Sequence, residues 1–550
     1  ALALAVLAVP AFAQSQSATL TGLVRDASGA VVPGARLQLT NSDTGEIYTA
    51  TGNESGNYVL PLVKPGQYAL TAQKPGFKQF RQTGLALETG GQPRLDITLE
   101  VGAVTDRVEV EATAPLLQSE TSAIGAVVDN QTIVNMPLIN RRAAQLARLS
   151  GFVVQNGTGS NFTMAGGRGD NSMWLIDGTN AQNVLLGVQT LSFDPPIESL
   201  QEFNVSISNY SAELGRTGGG VVQMTTKSGT NRFHGSAYEY LRNDKLDART
   251  FFAADKAKLR YNLFGASFGG PLRRDRTHFF FNYEGRRNIN EATRIQNVPA
   301  RAETRGDFSS SRLIVRDPAA TGRPPFPGNA IPASRLDPIG LQLAAFYPDP
   351  NVPGRGSADS NFRANQRNSN PANTYVTRVD HTFRERDRMY GRFLANLGNN
   401  LEGPIWPTPG TDPVHRNRFN TYYNVSGTWF HHITPATINE LRLGYDRRTF
   451  INRTGGHGLG LNGKLGLKGV DPQAFVYVTL TGLAAIGGSS NAERLQLPIR
   501  TNHFVDHVLM IRGNHSLKTG FEFRYGRNDD LNRNRPGGEF NFNDVATGSS

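Results

Sequence analysis

From residue 232 to the end of the chain, apolar and polar positions alternate in runs long enough to be strands. In residues 278 to 284, Phe279, Phe281 and Tyr283 share one face, while His278, Asn282 and Glu284 share the other with Phe280. In residues 440 to 446, Leu441, Leu443 and Tyr445 oppose Glu440, Arg442, Gly444 and Asp446. In residues 517 to 525, Leu517, Thr519, Phe521, Phe523 and Tyr525 alternate with Lys518, Gly520, Glu522 and Arg524. A period of two predicts antiparallel strands with two chemically different faces. One apolar face alone would also suit a sandwich. The number of such strands, their aromatic outer faces and the polar inserts between them point instead to a transmembrane antiparallel β-barrel, apolar towards lipid and wet inside. The inserts 299 to 372 and 399 to 418 read as extracellular loops, where selectivity resides in such barrels.

Upstream the punctuation changes. Runs at Leu20 to Val24, Ala35 to Thr40, Ile47 to Thr51, Tyr58 to Pro61, Gln67 to Gln73 and Leu95 to Leu99 are separated by Gly and Pro turns and predict a small β-sandwich. Residues 119 to 231 mix helix and strand signals. Asp129 is placed to cap a turn over Gln131 to Asn135 that ends at Pro137, and Arg141 to Leu149 predicts a helix with Ala143, Leu146 and Leu149 on one side. Trp174 to Ile176 predicts a strand that reverses on Asp177-Gly178, where positive φ is tolerated. Ile197 to Val205 predicts another, followed by Gly218, Gly219 and Gly220, read as a tight glycine turn between short strands.

Composition narrows the classes. The 550 residues suffice for several domains, and 59 Gly with 30 Pro suit a turn-rich β protein. The net charge of +11 is spread along the chain, so it suits a basic surface or lumen facing anionic lipid or lipopolysaccharide, not a nucleic-acid patch. With no cysteine there is no disulfide framework, thiolate zinc site or thiol nucleophile. The first 13 residues, ALALAVLAVPAFA, form an apolar run too short to span a bilayer and end on a small-x-small cleavage pattern, a partial signal peptide. No later stretch is apolar enough for a membrane helix, so strands must make any crossing.

Several motifs carry less than they suggest. Residues 458 to 463 spell G-x-G-x-x-G and Lys464 follows, but Leu465 stands where a phosphate loop needs Ser or Thr, and Gly466, Gly469 and Pro472 deny the helix. His503 and His507 have i, i+4 spacing on a strand pattern without a following Glu, so no metal site is expected. Arg168-Gly169-Asp170 reads as a turn. No catalytic constellation stands out, and no cofactor is called for.

The stretch SAELGRTGGGVVQMTTKSGTNRFHGSAYEYLRND, with Trp174-Leu175-Ile176-Asp177-Gly178 and the segment from Ile197, resembles the joint between plug and barrel in TonB-dependent outer-membrane receptors, above all their Oar-like branch. Gly22-Leu-Val24-Arg-Asp26, Val32-Pro33-Gly34-Ala35, Gly56-Asn-Tyr58, Pro65-Gly66-Gln-Tyr68 and Gly76-Phe77 resemble the carboxypeptidase regulatory-like module that this branch carries. The resemblance implies a transthyretin-like sandwich over 18–100, a linker over 101–118, an α+β plug over 119–231 and a barrel over 232–550. The barrel is expected to be incomplete, with about ten to twelve strands where transporters of this class close with about 22. No peptidase is implied, since all ten histidines lie after residue 231, and a structural or docking role for the module is favoured over sugar binding.

In the linker, Asp106, Arg107, Val108, Glu109 and Val110 occupy the position of a TonB box, the strand that an energy-transducing partner adds to its own sheet. The same residues could equally be the last strand of the preceding domain or plain linker. The implied partners are outer-membrane lipid, the inner-membrane TonB complex and an unidentified small or medium ligand such as a siderophore, oligosaccharide or peptide. The implied function is energy-coupled import. Two rivals use the same residues: an adhesion or envelope-integrity protein on this scaffold, and a soluble carbohydrate-binding β protein.

Overall fold

The structure, a computed structural model, describes residues 17–547 except 104–105, 112–120, 122, 156–161, 169–170, 186–187, 192, 212, 216, 250–255, 358, 489–493, 514 and 533–534. The expected signal peptide, residues 1–13, and two residues of the Arg168-Gly169-Asp170 turn lie outside the described residues.

The N-terminal unit is a two-sheet sandwich. Five strands run in the order Ile47–Thr51, Arg36–Asn41, Gly66–Gln73, Gln79–Leu87, Arg107–Glu111, and three in the order Asn57–Val63, Ala18–Asp26, Ile97–Leu99. Alternate residues of both sheets, among them Leu20, Leu37, Leu39, Tyr58, Tyr68, Leu70 and Ile97, meet in one core, as period-two patterning requires. The sequence pattern missed Gln79–Leu87. Its register with Gly66–Gln73 shifts between Tyr68 and Leu70, and Gln82 is one of its buried positions, so its apolar alternation is broken twice.

The middle unit is a five-stranded sheet in the order Thr179–Asn180, Met173–Ile176, Val221–Thr226, Leu200–Ser208, Ile124–Asp129, with only the Met173–Ile176 and Val221–Thr226 pair parallel. Asp129 caps the helix Asn130–Asn135, its carboxylate accepting the Thr132 N–H at 2.8 Å. The helix expected from Arg141 is a 3₁₀ helix over Ala143–Ser150. Ala143, Ala144, Leu146 and Ala147 are buried. Leu149, expected on that side, is 44% exposed at the end where Gly151 turns the chain away at a φ of 64°.

The three consecutive glycines also play a different part from the one expected. Residues 209–220 separate the two strands, and none of Gly218, Gly219 and Gly220 has a positive φ. They are there for room. A Cβ on Gly219 would stand 2.7 Å from the Asn171 carbonyl oxygen, and one on Gly220 2.7 Å from the Met164 sulfur.

The third unit is a curved antiparallel wall of eleven strand segments. In order they are His234–Asn243, Leu259–Arg273, Thr277–Gln296, the segments Phe362–Ser369 and Ala372–Arg384, Asp387–Glu402, Arg416–Thr434, Thr437–Thr454, Arg494–Arg512, and His515–Arg527 with Asp530–Asn532. Both Phe362–Ser369 and Ala372–Arg384 lie along Thr277–Gln296. The expected loops are shorter than the sequence suggested, because Phe362–Ser369 and the ends of Asp387–Glu402 and Arg416–Thr434 extend into them.

At one end of the wall the turns are short, around Asp275, Glu385 and Pro435. At the other, the inserts pack on one another through Val298, Tyr347, Trp406, Phe475 and Val476. The alternation holds as expected. Phe281 (40% exposed), Leu443 (52%) and Phe521 (52%) point outward, while Phe280, Asn282, Glu440 and Arg442 are buried on the inner face. That inner face holds the middle unit: Val376, Leu394 and Tyr422 of the wall join its core, and Phe193 stacks on Tyr422 with centroids 5.5 Å apart.

Candidate functional site: the seat of the plug

The middle unit is fixed to the wall by the turn that ends Met173–Ile176. Asp177 and Gly178 both have positive φ, 45° and 71°, which reverses the chain at once and pushes the Asp177 side chain out of the sheet's end. The Thr226 N–H and hydroxyl donate to its two oxygens at 2.9 and 2.6 Å. Three arginines of the wall then close on this turn. Arg392 donates to Asp177 Oδ2 at 2.7 Å, Arg378 to Oδ1 at 3.4 Å, and Arg442 to the Gly178 carbonyl at 3.1 Å. Each belongs to the inward-facing alternation of its strand, which is why residues far apart in sequence converge.

The charges are compensated in depth. Arg378 makes a two-pronged pair with Asp380 at 2.9 and 3.0 Å and lies over the Tyr390 ring at 4.2 Å. Arg442 pairs with Glu440, which in turn meets His507 Nε2 at 2.7 Å. Burial alone would raise the Asp177 carboxyl; Arg392 and Arg378 outweigh it and hold the group below the usual carboxylate range. A buried charge so surrounded stays ionised, and the turn is held by electrostatics that lose most of their strength only when water enters.

The N-terminal sandwich meets the same network from the short-turn end. Lys64 Nζ lies 3.2 Å from Asp380 and 3.3 Å from Glu46, and Arg388 donates to Glu46 at 3.1 Å. Burial opposes the charge on Glu46, but Lys64 and Arg388 keep its carboxyl below the ordinary value. A second seam joins sandwich and middle unit. The Thr89 N–H donates to Glu202 at 2.6 Å, its hydroxyl meets that of Thr225 at 2.8 Å, and Asn204 donates to its carbonyl at 2.7 Å. Here burial dominates, and despite the Thr89 hydrogen bonds Glu202 is raised to about 7.

The five residues singled out in the linker lie elsewhere. Asp106 precedes the strand Arg107–Glu111, which runs parallel to Gln79–Leu87 with Val108 opposite Phe80 and Val110 opposite Gln82. It is the edge of the sandwich's larger sheet, so this segment is a strand of the first unit and, among the described residues, is paired on one side only. His503 and His507 share the inner face but face Glu522 and Glu440 separately. Among the described residues no group of three metal-ligating side chains forms. Residues 458 to 463 are loop apart from one helical turn, Leu461–Lys464, whose N-cap Gly460 is left-handed. Sequence reasoning placed Glu440 and Arg442 on the polar face but overlooked Arg378, Asp380, Arg388 and Arg392. Their signal was present: Arg378 with Asp380, and Arg388 with Arg392, fall on the same alternate positions of their strands.

A wall with an apolar outer face, a charged inner face and a folded unit seated inside it defines an outer-membrane barrel with its plug. The chain belongs to the outer-membrane β-barrel family: the family's outer membrane beta barrel domain matches residues 225–550, and a carboxypeptidase regulatory-like domain matches residues 19–100. It is an outer-membrane protein, and among the described residues no helix is long and apolar enough to cross a membrane.

It is similar to the TonB-dependent transporter Oar of Myxococcus xanthus, at 26% identity over 288 residues, which are 49% of this chain and 27% of that protein. Among solved structures it is similar to the outer membrane transporter YddB from Escherichia coli (TM-score 0.47, 13% identity, 74% of this chain and 48% of that one). It is also similar to a variant of the ferric enterobactin receptor from Pseudomonas aeruginosa (TM-score 0.39, 14% identity, 74% and 49%). The chain thus spans about a quarter of the curated relative and about half of each solved chain. By name these relatives are transporters and receptors.

Proposed function

We propose that the protein is a TonB-dependent receptor that imports a scarce or large ligand across the outer membrane. The observation that carries this reading is the seat of Asp177. A plug held in the lumen by buried, compensated ion pairs closes the barrel to diffusion, and freeing it takes work supplied from outside the barrel. We take 18–100 as the regulatory-like domain, 101–118 as the linker, 119–231 as the plug and 232–550 as the barrel. The outer inserts and the plug capture the ligand, and Asp106 to Val110 engage TonB. The exposed side of Arg107–Glu111 supports that role, because an edge strand is what a partner sheet pairs with.

Ligand class stands among siderophore, oligosaccharide and peptide. The test is growth of a deletion strain on scarce iron and glycan sources, with the full-length gene restored in backgrounds with and without TonB. Import predicts a growth defect that the gene repairs only when TonB is present. Repair without TonB would favour an adhesion or envelope role on the same scaffold.

A further inference from the structure

Nothing in the family assignment says what the regulatory-like domain does. Its strand Asn57–Val63 ends inside the barrel mouth: Leu62 is buried against Tyr390, Phe430 and Ile438, inward residues of three consecutive wall strands. Leu62 has a positive φ of 52°, uncommon for a branched residue and sustained only where the surroundings fix it. Next to it, Lys64 reaches Asp380, and Glu46 receives Arg388, whose guanidinium lies 4.2 Å from the Tyr48 ring. At the rim, Asn231 donates its N–H to the Asp43 carbonyl at 2.8 Å, and Asn53 donates to the Gly513 carbonyl at 3.1 Å. A partly open cavity of about 290 Å³ lies between domain, plug and wall, with Glu46, Lys64, Asp177, Lys227, Arg378 and Asp380 on its lining.

A tethered domain with no set position would have no reason to draw a lysine and a glutamate largely out of water, their side chains left 20% and 9% exposed. Taking such charges out of water is costly unless the partner supplies matching ones, and the wall supplies both, in Asp380 and Arg388. The match also runs further inward, since Asp380 holds Arg378 and Arg378 holds Asp177.

We propose that the regulatory-like domain is the inner seal of the lumen. It closes the short-turn, periplasmic mouth beneath the plug and steadies the Asp177 turn through Lys64, Asp380 and Arg378, so that the plug rearranges only after the domain has undocked. This goes beyond the import reading and does not depend on TonB.

These 550 residues contain no cysteine, so every cysteine introduced within them is a new one. In the full-length protein in isolated outer membranes, Asp43→Cys with Asn231→Cys, a rim pair that leaves the buried charges intact, is expected to link within one molecule under a short bismaleimide. So is Glu46→Cys with Arg388→Cys, whereas the single variants are not. In parallel, Lys64→Met combined with Glu46→Gln is expected to speed amide hydrogen exchange of the plug strand Val221–Thr226 by about tenfold, with the sandwich strands Arg36–Asn41 and Gly66–Gln73 unchanged. Absence of an intramolecular link at the rim pair would overturn docking. A link without any change in plug exchange would overturn the seal. Neither readout involves TonB or a ligand, so failure here leaves the import reading standing, and failure of import leaves the seal standing.

Discussion

Asp177 Oδ2 accepts a hydrogen bond from Arg392 Nη1 at 2.7 Å, with both side chains out of contact with solvent. One residue belongs to the plug and the other to the wall, so this pair measures how firmly the two are joined. Arg392→Ala leaves Asp177 with Arg378 and Thr226 but removes the closest cation, and breaking a buried pair from one side costs ~3–5 kcal/mol. The plug of Arg392→Ala is expected to release at a lower urea concentration than that of the parent, followed by protease cleavage of the full-length protein in detergent. Asp177→Asn, which keeps the shape and the Thr226 contacts, is expected to lose less than Asp177→Ala.

The seam between sandwich and plug should respond to pH through Glu202. Its carboxyl has an ordinary value of 4.5 and is raised by burial to about 7 in the folded protein, so the native form holds the proton more tightly. The sign follows: stability from this group is full below pH ~4.5, falls as pH rises towards 7, and then levels off, by ~3 kcal/mol in all. Urea midpoints measured between pH 5 and 8 should therefore decline in the parent and decline less in Glu202→Gln.

Two neighbouring glycines give opposite expectations. A Cβ on Gly219 would meet the Asn171 carbonyl at 2.7 Å, whereas one on Gly215 would meet nothing within 4 Å among the described residues, and neither residue has a positive φ. Gly219→Ala is expected to destabilise the plug by ~1–3 kcal/mol through overpacking against rigid backbone. Gly215→Ala should be close to neutral in the same urea assay.

On the wall, the outward face is testable one residue at a time. Leu443 points away from the plug while its neighbour Arg442 is fully covered. Leu443→Arg is expected to lower assembly into the membrane, with a cost of ~2–4 kcal/mol if the site lies at the bilayer midplane and less near its edges. Leu443→Phe should assemble as the parent does. Heat-modifiable migration of the membrane fraction distinguishes the two.

How much of this could be read from residues alone differs between the units. The wall was legible because period two is a local property: Leu441, Leu443 and Tyr445 declare one face and Glu440 and Arg442 the other without any knowledge of partners. The turn at Asp177-Gly178 was equally visible, since few dipeptides tolerate two positive φ angles. What the turn does was not visible, because Arg378, Arg392 and Arg442 lie more than 200 residues away in sequence and no local rule pairs them with Asp177. The role of Gly218 to Gly220 was misread for a related reason. A glycine required by φ and one required by a neighbour's backbone look the same in a sequence, and the neighbour here, Asn171, is remote. Glu46, Leu62 and Lys64 gave no sign of docking, as they sit among the ordinary surface and strand residues of a small sandwich.

The linker strand offers the sharpest division between its two roles. Val108 lies opposite Phe80 in a short parallel ladder, so a proline there removes one backbone donor and also fixes φ at about −65°, away from the extended strand that both the sandwich and an added strand pair with. Val108→Thr, in contrast, keeps the backbone and most of the shape. If Asp106 to Val110 engage TonB, a cysteine at Val108 is expected to cross-link to cysteine-bearing TonB in cells, Val108→Pro to abolish TonB-dependent growth, and Val108→Thr to retain it. If the segment serves only as the sandwich's edge, Val108→Pro would loosen hydrogen exchange in Gln79–Leu87 while cross-linking to TonB stays absent and growth stays unchanged. The exchange and growth measurements together therefore decide which partner this strand is kept for.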